Sequence, residues 1–102
     1  MDAKPQDLDV VHNEKRARFE IEVEGHLAEA NYIRTTNGRI VFTHTEVPVA
    51  LEGQGLAGRL ARHVLGYARE EELVVVPLCP FMAAYIRRHP EYRDLVLPGF
   101  KL

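Results

Sequence analysis

Apolar and polar residues alternate most clearly in "RFEIEVEG", where Phe19, Ile21 and Val23 take turns with Glu20, Glu22 and Glu24. A period of two puts one set of side chains on a core and the other in water, as in a half-buried strand. Before it, "DVVHN" reads as a short strand, joined by a polar turn at Asn13–Arg16. After it, Gly25-His26 predicts a turn into a third strand, "LAEANYIRTT". Asn37-Gly38 is a strong hairpin signal, because both central positions of a type I′ turn need positive φ. "RIVFTHTEV" follows as a fourth strand, so an antiparallel meander is expected up to Val47. Strand parity would put His44 on one face with Phe42 and Glu46, opposite Thr43 and Thr45.

The period changes after Pro48. Apolar residues fall at 56, 57, 60, 61, 64, 65 and 68, the stripe of a helix lying on a sheet, with Arg59, Arg62, His63, Arg69 and Glu70 on its other side. The apolar run "LVVVPLC" reads as a buried strand, parallel to the fourth because a helix connects them. Pro77 inside it implies an edge, a bulge or the end of pairing. A second helix, "PFMAAYIRRH", starts at Pro80, a favoured first-turn residue, and stops near His89 because Pro90 disfavours a helical residue before it. The expected fold is α/β (α+β): an antiparallel meander followed by a β-α-β unit and a C-terminal helix.

With 102 residues the chain has room for one domain, taken as 9–102 after a flexible tail at 1–8. A net charge of −2 with mixed signs offers no electrostatic case for nucleic acid. No apolar run approaches a membrane span, and "MDAKPQDLD" does not resemble a signal peptide. The one cysteine excludes an internal disulfide and suits a reducing cytoplasm, the expected location. Exposed strand edges leave a monomer or weak homodimer as the expected state. The histidines show no metal-ligand spacing, so no metal is expected.

"GQGLAG" (53–58) fits G-x-G-x-x-G, but its surroundings exclude the familiar owners of that pattern. A dinucleotide site needs a strand running straight into the first glycine of a two-halved parallel sheet. Here "PVALE" intervenes, the upstream sheet is antiparallel, and Cys79 stands where a ribose-binding acid would end the next strand. A kinase loop would need a catalytic lobe, and a P-loop needs Gly-Lys-Ser/Thr where Arg59 and Leu60 follow Gly58. What remains is physical. Gly53 and Gly55 let backbone N–H groups turn toward a ligand, at the start of a helix whose free N–H groups and dipole attract phosphate. Arg59 and Arg62 add charge nearby. The alternative is a glycine turn that only starts a helix.

The order of elements, this loop and "PLCPF" together resemble the GNAT N-acetyltransferase superfamily, in particular its minimal single-domain branch marked by a "CPF" sequence. The similar stretches, "RFEIEVEGHLAEANY", "HTEVP", "LEGQGLAGRLARHVLGYAREEELVVVPLCPF" and "AAYIRRHPEY", cover most of residues 11–95. The resemblance implies acetyl-coenzyme A as cofactor, with its pantetheine arm entering between splayed strands four and five. Thr45, Glu46 and Val47 would then lie along the arm, and Gln54, Gly55, Leu56, Ala57, Gly58 and Arg59 at the pyrophosphate. Pro80, Phe81, Ala84 and Tyr85 on the second helix would form the opposite wall. Glu52 stands where the superfamily loop has Gln or Arg, and is expected to point away or cap the helix. Gly58 reads as a close-packing position. Arg87 and Arg88, beside His89, are either a solvated face or a contact to the adenosine phosphate.

Three residues are candidates for chemistry. Cys79 ends the fifth strand just before a helix, where a thiolate gains stability, so it is either a nucleophile carrying an acetyl group, a proton donor or hydrogen-bonding neighbour, or an inert buried thiol. His44 is a candidate general base or a strand histidine bonded to a neighbour. Tyr85 is a candidate acid for the leaving coenzyme A thiolate, or a packing residue. Two functions follow: an acetyl-coenzyme-A-dependent N-acetyltransferase with an amine or protein acceptor, or a non-catalytic acyl-coenzyme-A-binding or partner-interaction module.

Overall fold

The computed structural model describes residues 10–102; the tail expected at 1–8 lies outside them. Five strands form one sheet in the order β1-β2-β3-β4-β5. They are β1 (Val11–Asn13), β2 (Arg18–Val23), β3 (His26–Arg34), β4 (Arg39–Glu46) and β5 (Val74–Pro77). Pairing is antiparallel through β4, and β5 joins β4 in parallel after the crossover helix α1 (Leu56–Glu70). Helix α2 (Pro80–Arg88) follows β5, with 3-10 turns at Val49–Leu51 and Pro90–Leu95. This is the mixed α+β order that the periodicity predicts.

One sheet face carries the core. Phe19 and Ile21 of β2, Ala28 and Ala30 of β3, and Ile40 and Phe42 of β4 are buried there. The α1 stripe Leu56, Leu60, Ala61, Val64, Leu65 and Ala68 buries against them, and Met82 and Ile86 of α2 complete the cluster. The other residue of the predicted stripe, Ala57, is only half-buried. On the opposite sheet face Glu22, Ile33 and His44 are exposed.

Two turns differ from expectation. The β2–β3 turn is Glu24-Gly25, both with positive φ (50° and 82°), and His26 pairs with Val23 inside the ladder. At Asn37-Gly38 only Gly38 has positive φ, 84°, so the turn is not type I′. The Thr35 N–H donates to the Arg39 carbonyl at 2.9 Å, closing a three-residue loop with glycine in the left-handed position. The Thr35 hydroxyl also donates to the Asn37 side chain and meets the Arg39 backbone, favouring this longer closure.

The third difference matters more. Tyr32 pairs with Phe42, but Asn31 pairs with His44, so Thr43 is an extra residue in β4. Such a bulge reverses the parity of everything after it. Thr45 therefore pairs with buried Ala30 and shares the core face with Phe42, while His44 and Glu46 lie on the open face. This reverses the expected grouping of His44 with Phe42.

The β4–β5 ladder runs from Arg39/Val74 to Phe42/Pro77 and stops, whereas β4 continues to Glu46. Proline has no N–H to extend the ladder, and the chain turns away into α2. The splay expected between strands four and five is thus present. Cys79 does not belong to β5: it caps α2, and its N–H donates to the Phe42 carbonyl at 2.9 Å.

Candidate functional site

A cavity of about 400 Å³ opens where β4 ends, α1 begins and α2 passes by. Its floor is apolar, made by Val47, Leu51 and Leu56. The loop wall comprises Glu52, Gly53, Gly55, Ala57 and Gly58, and the helix wall Phe81, Tyr85, Arg88 and His89.

The loop wall has its shape because of two glycines. Gly53 has φ 87° and Gly55, the N-cap of α1, has φ 74°. A Cβ at either position would be strained by backbone conformation alone. The left-handed cap turns the first N–H groups of α1, which have no partner within the helix, toward the space in front of it. Backbone donors and the positive end of a fifteen-residue helix suit a phosphate or pyrophosphate there. Gly58 is not the close-packing position expected: an added Cβ would meet nothing within 4 Å, and the residue faces the cavity. Glu52 does not cap α1. It lines the cavity, and Gly55 holds the cap position with no side-chain cap bond.

The second component is the free edge of β4 beyond Phe42. No β5 residue pairs with Thr43–Glu46, so that edge can accept an extended ligand like an added strand. Where the edge begins, the Cys79 thiol, only 3% exposed, donates to the Thr45 hydroxyl at 3.4 Å. On the other face the His44 Nε2 meets Glu46 Oε1 at 3.2 Å, with both side chains largely exposed. Thr45–Cys79 and His44–Glu46 are therefore adjacent pairs on opposite sides of one strand.

Tyr85 is buried in the helix wall with its ring stacked on His89 at 4.0 Å and 6.2 Å from Phe81. Burial, followed by the nearby Tyr92, pushes its pKa above the ordinary tyrosine value, so the phenol stays protonated through neutral pH. The His89 ring is held a second way, through Nδ1 and the Tyr85 carbonyl at 2.8 Å.

Of the residues expected to contact a cofactor, Val47, Gly55, Leu56, Ala57, Gly58 and Phe81 line the cavity, as does Tyr85. Thr45 and Glu46 lie on the strand leading into it, whereas Gln54, Arg59, Pro80 and Ala84 are outside the lining. Leu51 and His89 belong to the cavity without having been expected there. Leu51 sits in a 3-10 turn that periodicity does not reveal, and His89 follows a helix whose face could be projected one step further. Arg88 faces the cavity and Arg87 does not.

Among the described residues no helix is long and apolar enough to cross a membrane, and no three His, Cys, Asp or Glu side chains gather as metal ligands. Comparison with known proteins gives a consistent picture. Residues 18–95 match the family model of the GCN5-related N-acetyl-transferase. The chain is 33% identical over 85 residues to Protein NATD1 of Gallus gallus, covering 81% of this chain and 77% of that protein. It is 32% identical over 93 residues to Protein NATD1 of Homo sapiens, covering 87% and 82% respectively. The solution structure of a GCN5-like N-acetyltransferase candidate from Staphylococcus aureus superposes with a TM-score of 0.69 at 32% identity, covering 88% of each chain. A family match over most of the chain, on a fold that splays β4 from β5 beside a glycine-started helix, leads to one conclusion: the chain belongs to the GCN5-related N-acetyltransferase family.

Proposed function

We propose that this chain is an acetyl-coenzyme-A-dependent N-acetyltransferase acting on an amine acceptor, for which a protein side chain is suitable. The observation that carries this reading is that the unpaired edge of β4 leads into the cavity whose wall holds the left-handed glycine cap of α1. Coenzyme A has the matching parts, a pyrophosphate for the loop and an amide-bearing arm for the strand edge. Gly53, Gly55, Ala57 and Gly58 would hold the pyrophosphate. Thr45, Glu46 and Val47 would flank the arm, with Phe81 and Tyr85 across from it.

When bound, acetyl-coenzyme A supplies an activated acyl carbonyl. His44, oriented by Glu46, takes the proton that an acceptor ammonium must lose before its nitrogen bonds to that carbon. Tyr85 gives its proton to the sulfur released as the carbon–sulfur bond breaks. Cys79, with its thiol turned onto Thr45, shapes the acyl end and carries no acetyl group itself. Its near-complete burial supports this role over that of a nucleophile. Acetyl-coenzyme A should raise the melting temperature while NAD does not. A cofactor that leaves thermal stability unchanged would sink the reading.

One observation favours the second reading, a non-catalytic acyl-coenzyme-A-binding or partner-interaction module. The Thr43 bulge places His44 and Cys79 on opposite faces of β4, so the candidate groups are not gathered in one pocket. Cofactor binding with no transfer to a broad panel of amines would select it.

A further inference from the structure

A second cavity, of about 380 Å³, lies on the outer side of α1, lined by Arg62, His63, Gly66, Tyr67 and Glu70 of that helix and by Tyr92 of the 3-10 turn after α2. It takes no part in the acetyl transfer proposed above. Tyr85 of the first cavity and Tyr92 of the second have ring centroids 6.2 Å apart, so the two hollows share an aromatic wall. The floor of the second is Gly66, in the interior of α1. Glycine destabilises a helix interior relative to alanine, because it has more backbone freedom to lose. No close approach within the described residues requires it there: an added Cβ would meet nothing within 4 Å. What the missing side chain provides is the hollow itself.

Three features favour a cation at the Glu70 end. The last carbonyls of α1 make the potential negative there, so an acid in that turn is unfavourable. Glu70 is nonetheless an exposed carboxylate without an ion-pair partner among the described residues. Its neighbours are engaged elsewhere: Arg69 with both Asp94 oxygens, at 2.9 and 3.1 Å, and Glu71 with Arg34 at 3.7 Å. The third feature is the pair of tyrosines, since aromatic ring faces attract cations. Tyr67 is held in place, its hydroxyl accepting from the Arg34 guanidinium at 2.8 Å and its ring set against Phe19 and His12. The basic lining residues lie away from this end. Arg62 stands about 12 Å earlier along the helix axis, and the His63 ring is set against Phe19 of the sheet.

We propose that this hollow receives an arginine side chain of a partner protein, with its guanidinium on Glu70 and its plane against the tyrosine rings. A planar fork makes both contacts at once, because it gives parallel N–H groups to a carboxylate and stacks on aromatic faces. The alkyl stem lies over Gly66, in the space a side chain would fill. The hollow opens on the outer face of α1, where Arg62 and Glu70 are exposed, so a side chain projecting from another surface can reach it. The site is independent of the coenzyme A reading.

Two-dimensional NMR titration of the full chain with Nα-acetyl-arginine amide tests it, beside the citrulline analogue, which has nearly the same shape without the charge. Amide shifts should centre on Gly66, Tyr67, Glu70 and Tyr92, and the arginine probe should bind about tenfold or more tightly than citrulline. Glu70→Gln should remove most of that ratio, and Glu22→Gln, an equal change of charge on the open sheet face, should preserve it. Gly66→Leu should raise the melting temperature while weakening the arginine probe about tenfold or more. Melting curves of the glutamine variants check that each is folded. Equal affinities for the two probes, a ratio that survives Glu70→Gln, or shifts centred on Gly55 and Phe81 of the first cavity would overturn the inference. So would a marked preference for free arginine over the blocked amide, which would assign the hollow to a free amino acid.

Discussion

The Cys79 thiol donates to the Thr45 hydroxyl at 3.4 Å across the place where β4 and β5 stop pairing. Cys79 is tied to β4 a second time through its N–H on the Phe42 carbonyl, and to α2 through its own carbonyl, which accepts from the Ala83 N–H at 3.0 Å. One residue thus joins the last pair of the ladder to the first turn of α2 and to the free edge of β4.

A thiol held in this way should position rather than react. Intact-protein mass spectrometry after incubation with acetyl-coenzyme A should show no acetyl adduct on Cys79. Cys79→Ser keeps a donor for Thr45 and should retain transfer within about tenfold, the equivalent of roughly 1.4 kcal/mol. An acetylated species that disappears in Cys79→Ser would establish the covalent route instead.

His44 stands on the open face, away from the cavity lining. His44→Ala should therefore leave coenzyme A affinity unchanged while lowering acetyl transfer by about 10²- to 10⁴-fold, the range for loss of a general base. Calorimetry alongside a steady-state assay separates the two quantities. A variant that transfers acetyl groups normally would remove His44 from the chemistry.

The loop glycines should divide into two kinds. Gly55→Ala forces a Cβ into a left-handed backbone, and the melting temperature should fall by an amount equivalent to about 1–2 kcal/mol. Gly58 has an ordinary helical φ and open space around it, so Gly58→Ala should stabilise α1 by up to about 1 kcal/mol. The same methyl group projects into the cavity and should weaken coenzyme A binding. Higher stability with unimpaired binding would place the ligand elsewhere.

Stability should also depend on pH through His12, outside the site. Its Nε2 lies 2.6 Å from the Tyr32 hydroxyl, and its ring stacks on Phe19 at 4.0 Å. Burial, outweighing the pull of Glu14, lowers its pKa below the ordinary 6.5. The unfolded chain then takes up the proton first, so this contribution is complete above pH 6.5 and is lost as pH falls toward the folded-state value. Urea midpoints should drop between about pH 7.5 and 5, and His12→Gln should flatten the drop. Identical pH profiles for the two proteins would show that His12 does not drive it.

Much of the architecture was legible because it depends on local periodicity. The alternation at Phe19, Ile21 and Val23 and the stripe from Leu56 to Ala68 both answer to a single buried face, and burial is the largest favourable term in folding. Pro77 marked the end of the ladder because a missing N–H is a property of the residue wherever it sits. The glycines marked the loop for a similar reason, since positive φ is cheap for them alone.

What only the tertiary structure decided depends on pairing between distant segments. The bulge at Thr43 exists in relation to Asn31 and Tyr32 on another strand, and it moved Thr45 onto the core face and His44 onto the open one. No pattern within "RIVFTHTEV" announces it, because parity counting assumes one residue opposite each residue. Which of two adjacent arginines faces the cavity was likewise settled by how α2 seats against the end of β4 and the start of α1. The sequence by itself determined which elements form and where the glycine turn that starts α1 lies. Packing between elements far apart in the chain determined which side chains meet there, because a contact is fixed by both of its surfaces.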